Sequence, residues 1–192
     1  MKAMYFLIFF LAASAQAQSH QLGLEFNRVK SELKYRLMNG KERSEFKAKQ
    51  RGDKTSLNLI VPLADRLSLQ SALGYADVGQ TVSGYYETSL RFLPRLTLFY
   101  FEGGSQNQGN SLFVQGGFEL SRISFLGDSY QDYSGILGLG FRIFGTNATG
   151  LELGYRMQDT LATGGLDGRG GQQLEDSHKQ SQEFSAGFFW SL

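Results

Sequence analysis

The segment EDSHKQSQ places His178 within three residues of Glu175, Asp176, Ser177 and Ser181. An imidazole, a hydroxyl and a carboxylate are the parts of a hydrolytic triad. The polarity of the segment reads instead as a solvated loop, with His178 an ordinary loop histidine. His20 is the other of two histidines, and there are no cysteines. That inventory excludes disulfides and thiolate metal sites and leaves little for an imidazole site. The stretch TGGLDGRGG (163–171) is glycine-rich but lacks the Gly-Lys-Ser/Thr end of a phosphate-binding loop. It reads as a polar outer loop. No catalytic, cofactor-binding or metal-binding residue is assigned, and no cofactor is implied.

Charge offers a second kind of chemistry. Residues 28–54 carry Arg28, Lys30, Lys34, Arg36, Lys41, Arg43, Lys47, Lys49, Arg51 and Lys54 against Glu32, Glu42, Glu45 and Asp53. The whole chain has a formal net charge of only +1, so this basic bias is local. Met38-Asn39-Gly40-Lys41 contains Asn-Gly, a strong hairpin-turn signal. The apolar phase slips after Phe26 to Val29, Leu33, Tyr35 and Leu37. A bulge produces such a slip, and so does a strand leaving an apolar environment. A basic hairpin over about 28–54 would make charge-assisted contacts to phosphates or other anions. Lys41, Arg43, Lys47, Lys49 and Arg51 are the candidate anionic-surface contacts. Nucleic acid is not an expected partner.

The elements that carry these residues alternate with a period of two. The C-terminal FSAGFFWSL sets Phe184, Ala186, Phe188, Trp190 and Leu192 against Ser185, Gly187, Phe189 and Ser191. The same period places Leu57 and Leu59, Leu137 and Leu139, and Leu151 and Leu153 on apolar faces. The opposite faces carry Glu25, Glu87, Arg91, Glu119, Arg142, Glu152, Arg156 and Glu183. Glycine is abundant at 24 of 192 residues, proline is scarce at 2, and aromatics reach 14%. That composition favours strands and turns over helices. The fold class is all-β and antiparallel.

The N-terminus reads MKAMYFLIFFLAASAQAQS, with Lys2 ahead of an apolar core and Ala15-Gln16-Ala17 as a small-x-small site. Residues 1–17 are an expected cleaved signal peptide, and 18–192 a single exported domain. No later apolar run reaches the roughly 20 residues of a spanning helix. A membrane-spanning mature chain would have to be a closed barrel, because lipid satisfies no backbone hydrogen bonds. A soluble exported sandwich explains the alternation equally well. Connection lengths favour the barrel. LADRLSL (63–69), LPRLTL (93–98), LSRISF (120–125) and GTNAT (145–149) read as short turns. Residues 77–84, 103–110, 128–131 and 159–180 read as longer, polar connections on the opposite side. This division gives ten strands, with eight as the alternative.

The signal peptide, the alternating strands and the aromatic terminal strand resemble the small outer-membrane β-barrel proteins of Gram-negative bacteria, of the OmpA and OmpX type. The resemblance is one of pattern over the mature chain. It implies a cell-surface membrane protein in the bacterial outer membrane, in contact with outer-membrane lipids and lipopolysaccharide. It also implies recognition of the last strand by the barrel-assembly machinery, with Phe188 and Trp190 at the matching positions. The usual terminal aromatic is Leu192 here. Leu57, Leu59, Leu137, Leu139, Leu151, Leu153, Phe188 and Trp190 would face lipid, and the eight charges would line a narrow lumen. Five Glu against three Arg is an incomplete match unless further residues or water join. The expected function is structural or surface-interacting and without catalysis. A narrow solute channel is the alternative. A lipid A-modifying hydrolase using His178 is a further one, although that resemblance would want a His-x-Ser arrangement facing lipid.

Overall fold

The computed structural model describes residues 20–39, 42–77, 86–101, 110–125, 128–144, 149–167 and 172–192. The expected signal peptide and Lys41 lie outside them. Eight antiparallel strands close into one ring: β1 Gln21–Asn39, β2 Glu42–Ala64, β3 Leu67–Asp77, β4 Tyr86–Tyr100, β5 Ser111–Phe125, β6 Asp128–Phe144, β7 Thr149–Asp167 and β8 Gln172–Ser191. Each strand pairs with its sequence neighbour, and β1 pairs with β8. Closure removes every sheet edge, so each backbone ladder has a partner on both sides.

The ring has eight strands and not ten. Two expected turns lie inside strands: Leu93–Leu98 within β4 and Leu120–Phe125 within β5. The inward–outward period runs on through Leu120–Ser124 and through Leu93–Thr97, and shifts only between Thr97 and Phe99. Pro94 needs no ladder hydrogen bond from its nitrogen. Its Cα partner is Leu69 on β3, while the β5 ladder is interrupted between Phe92↔Phe118 and Arg95↔Gln115. The expected loop over 159–180 is largely strand, because β7 and β8 continue to Asp167 and from Gln172. Residues 128–131 likewise belong to β6.

The lost pair of strands also moves one connection to the other end. The Asp65–Arg66 turn accepts hydrogen bonds from Thr97 N to Arg66 O and Tyr100 Oη to Asp65 O, both at 2.8 Å. The β4–β5 connection therefore leaves from the same end as that turn. The sequence reading of 103–110 places it with the longer connections on the opposite side, and the ring corrects this. His20 and Leu192 meet at this end too, Leu192 N donating to His20 O at 2.7 Å. This is the inner end below, and the tips of β1–β2 and β7–β8 form the outer end.

The strands are steeply tilted. Ladder partners starting at Leu22 run through Leu59, Ser71, Phe92, Phe118, Gly135, Asp159 and Gln180 and return to β1 at Glu32. The path comes back ten residues further along β1, a shear that goes with a tilt of about 35–45°. Every ladder row is thus a ramp from the outer end to the inner one.

Small residues make the interior wide enough for large ones. Phe189 points inward and is buried, edge-on to Phe144 at 5.1 Å, with the Arg142 guanidinium 4.3 Å above its ring. A Cβ at Gly150 would collide with the Phe189 ring. Phe113 repeats the arrangement, with Arg95 at 4.5 Å and Gly140 leaving its ring room.

Candidate functional site

Inward positions carry a balanced ionic network. Buried charged residues are Glu25, Glu87, Glu119, Asp132, Glu152 and Glu183, and Lys54, Arg91, Arg95, Arg142, Arg156 and Lys179. That is six acids and six bases among the described residues. All eight charges named from the sequence lie here. Lys54, Arg95, Asp132 and Lys179 join them and complete the match. Their parity could have revealed them. Lys54 continues the inward series Ser56, Asn58 and Ile60, which sets it apart from the outward cations of the hairpin. Arg95 was hidden in a supposed turn and Lys179 in a supposed loop.

The network forms three linked groups along the axis. Towards the inner end, Glu152 accepts from Arg95 at 2.5 and 2.9 Å and from Arg142 at 2.8 Å, while Arg142 also donates to Gln21 at 2.9 Å. In the middle, Arg156 grips both oxygens of Glu25, at 2.6 and 2.7 Å. Arg91 bridges Glu119 and Glu183. Nearer the outer end, Lys54 donates to Glu87 at 3.1 Å and Glu119 at 2.7 Å, and Lys179 donates to Glu87 at 2.7 Å. Gln158, Ser121, Thr160 and Ser134 supply further donors to Glu119 and Asp132. A desolvated charge costs several kcal/mol unless matched, so neutrality is what lets this lumen exist. Chemically, the arrangement fills and ties the barrel.

The outer wall has two zones. Leu57, Leu73, Leu137, Leu139, Leu151, Leu153, Phe118, Phe188 and Trp190 stand exposed around the ring, with Leu59 half-buried. On a soluble protein so continuous an apolar band would be an aggregation surface; around a closed barrel it matches a bilayer. Above it the outward series on β1 changes from Leu22, Leu24 and Phe26 to Arg28, Lys30, Glu32 and Lys34. The β1–β2 ladder runs unbroken through this change. The slip of apolar phase after Phe26 is a strand emerging from the apolar zone and not a bulge. Val29 and Leu33 turn inward and are buried.

On this crown, ladder pairing sets like charges face to face. Lys30 opposes Arg51, and Lys34 opposes Lys47. Directly opposed like charges are destabilising. Three acids offset part of the charge: Asp53 lies 3.4 Å from Arg28, Glu32 3.9 Å from Lys34, and Glu45 opposes Arg36. Arg43, Lys47, Lys49 and Arg51 are exposed. His178 stands on the outward side of β8, its Nε2 3.1 Å from Asp159 Oδ1. Ser177 and Ser181 point into the lumen. The strand period therefore separates His178 from both serines, and the triad suggested by EDSHKQSQ is not assembled from them.

No protein-family model matches the sequence, and no curated relative does. Among solved structures, the fold is similar to that of Neisserial surface protein A (NspA), with 11% identity over 91% of this chain and 98% of that one and a TM-score of 0.58. The N-terminal β-barrel domain of Pseudomonas aeruginosa OprF matches at 13% identity over 88% and 97%, with a TM-score of 0.49. The likeness is one of fold. With its apolar outer band and charged lumen, the chain has the fold seen in small β-barrels of bacterial outer membranes.

Proposed function

We propose that this barrel is a non-catalytic surface-interaction protein of the outer membrane, and that its working surface is the basic crown of β1 and β2. The supporting observation is the pair of like-charged oppositions, Lys30 with Arg51 and Lys34 with Lys47. A sequence that places cations opposite one another gives up stability unless an anion bridges them. Standing just above the apolar band, the crown is level with the phosphate-bearing outer part of lipopolysaccharide. The reading is tested with the barrel in neutral phosphatidylcholine vesicles and deacylated lipopolysaccharide, which keeps the phosphates and lacks the chains. The variant Lys34→Gln/Arg36→Gln/Arg43→Gln/Lys47→Gln should bind it weakly and with less salt dependence. Equal binding by the variant and the parent would sink the reading.

A narrow channel is the second reading, and the lumen speaks against it. Arg91 and Arg156 are both 1% exposed at mid-barrel, tied to carboxylates. Planar-bilayer recordings of the purified barrel should show no discrete conductance steps.

A further inference from the structure

A groove of about 850 Å³ crosses six strands of the wall. It is lined by residues 30–32 of β1, 49–51 of β2, 180–182 of β8, 157–159 of β7, 135–137 of β6 and Gly117 of β5. In the middle of these segments, Gln50, Gln158, Ser181 and Ile136 point inward and are 1–5% exposed. Lys30, Lys49, Arg51, Gln180, Gln182, Met157 and Leu137 are exposed. The open space therefore lies on the outer wall. Because ladder rows are ramps, the groove descends from the crown at β1 and β2 into the apolar band at β6. Its side wall is low at Gly135, an outward position with no side chain of its own.

The two ends differ in chemistry. At the top are three cations, Lys30, Lys49 and Arg51, for which no ion pair forms among the described residues. The two carboxylates that line the groove are already engaged: Glu32 with Lys34 at 3.9 Å, and Asp159 with His178 at 3.1 Å. At the bottom, Leu137 is 69% exposed and Met157 54%. We infer that this groove holds one membrane lipid of the outer leaflet, its phosphate between Lys30, Lys49 and Arg51 and an acyl chain along Met157 and Leu137. The inference rests on the outer-membrane placement proposed above and adds a ligand held beside the barrel. The crown shares Lys30 and Arg51 with it and continues above it through Lys34, Arg36, Arg43 and Lys47. The shared chemistry is a phosphate ester attached to acyl chains, which lipid A and glycerophospholipids both supply.

The test uses the purified barrel in neutral detergent, titrated with lipid A, phosphatidylglycerol, phosphatidylcholine or glycerol phosphate. Lipid A or phosphatidylglycerol should bind saturably at one per barrel, and the tighter of the two identifies the source. Phosphatidylcholine and the chain-free glycerol phosphate should bind at least about tenfold more weakly. Lys30→Gln/Arg51→Gln should weaken the bound lipid about tenfold or more. Gly135→Leu, which fills the apolar half, should weaken lipid and leave glycerol phosphate unchanged. The atoms nearest to a Cβ at Gly135 belong to the Leu161 side chain, at 3.5 and 3.7 Å, so the wall accepts a side chain there. The charge variant alters exposed side chains alone and decides the matter even where Gly135→Leu fails to assemble. Phosphatidylcholine binding as tightly as the anionic lipids, or lipid binding undiminished by Lys30→Gln/Arg51→Gln, would overturn the groove. The crown variant at residues 34, 36, 43 and 47 should retain lipid fully. Failure of deacylated lipopolysaccharide binding thus bears on the crown, and failure of lipid retention on the groove.

Discussion

At the scale of single residues, much of the barrel is decided by where a side chain is missing. Gly116 and Gly117 are adjacent, yet their surroundings differ. A Cβ on Gly117 would run into the carbonyl oxygen of Phe92, backbone that cannot swing aside. On Gly116 it would meet Ile136 O and Leu137 Cδ1 at 3.7 Å, ordinary contact. Gly117→Ala should therefore destabilise the barrel by about 1–3 kcal/mol through overpacking. Gly116→Ala should stay within about 0.5 kcal/mol. Urea unfolding midpoints of the two variants in lipid vesicles check this; equal midpoints would mean that β4 and β5 do not approach so closely. Nothing in the string GGF distinguishes the two glycines, because the difference comes from a strand distant in sequence. The inward charges were more legible. Arg91 and Glu119 follow from parity alone, whereas Lys54 looked like one more cation in a basic run.

At the scale of elements, the period of two identifies strands and faces but says little about where strands stop. LPRLTL and LADRLSL look alike, and only the second turns. The difference lies in Asp65 and Arg66, whose backbone oxygens are taken up by Tyr100 and Thr97 of another strand. Faces are more robust than boundaries, since one register slip would drive all of a strand's charges into the apolar zone. Leu153, 51% exposed, sits between Leu151 and Tyr155 on the outward side of β7. If that side meets the bilayer midplane, Leu153→Arg should cost about 2–4 kcal/mol of folding free energy in vesicles. Lys47→Glu on the crown should change stability by no more than about 0.5 kcal/mol, because it is exposed and meets Lys34 across the ladder. Similar stability for Leu153→Arg and the parent would remove β7 from the lipid boundary.

At the scale of the whole molecule, the lumen behaves as one electrically neutral body, and most of its pairs join strands that are not neighbours. Arg156 on β7 reaches Glu25 on β1 past β8, and its Nη1 also stands 4.0 Å from Glu183. Such links tie the wall through its interior, and Arg91 to Glu183 and Lys179 to Glu87 join the opposite strands β4 and β8, where the ladders tie it only around its circumference. Arg156→Gln would strand Glu25 in a desolvated site, at about 3–5 kcal/mol. Adding Glu25→Gln restores neutrality, and two amides of similar size can bond to each other and to Asn27. The double variant should therefore be more stable than Arg156→Gln alone, with a coupling energy of about 0.5–3 kcal/mol in a double-mutant cycle. Additive costs would show that each charge is satisfied independently, by water or by other partners. A positive coupling would mean that β1 and β7 are joined through the interior, so the charge match inside selects the strand arrangement that the apolar band outside merely permits.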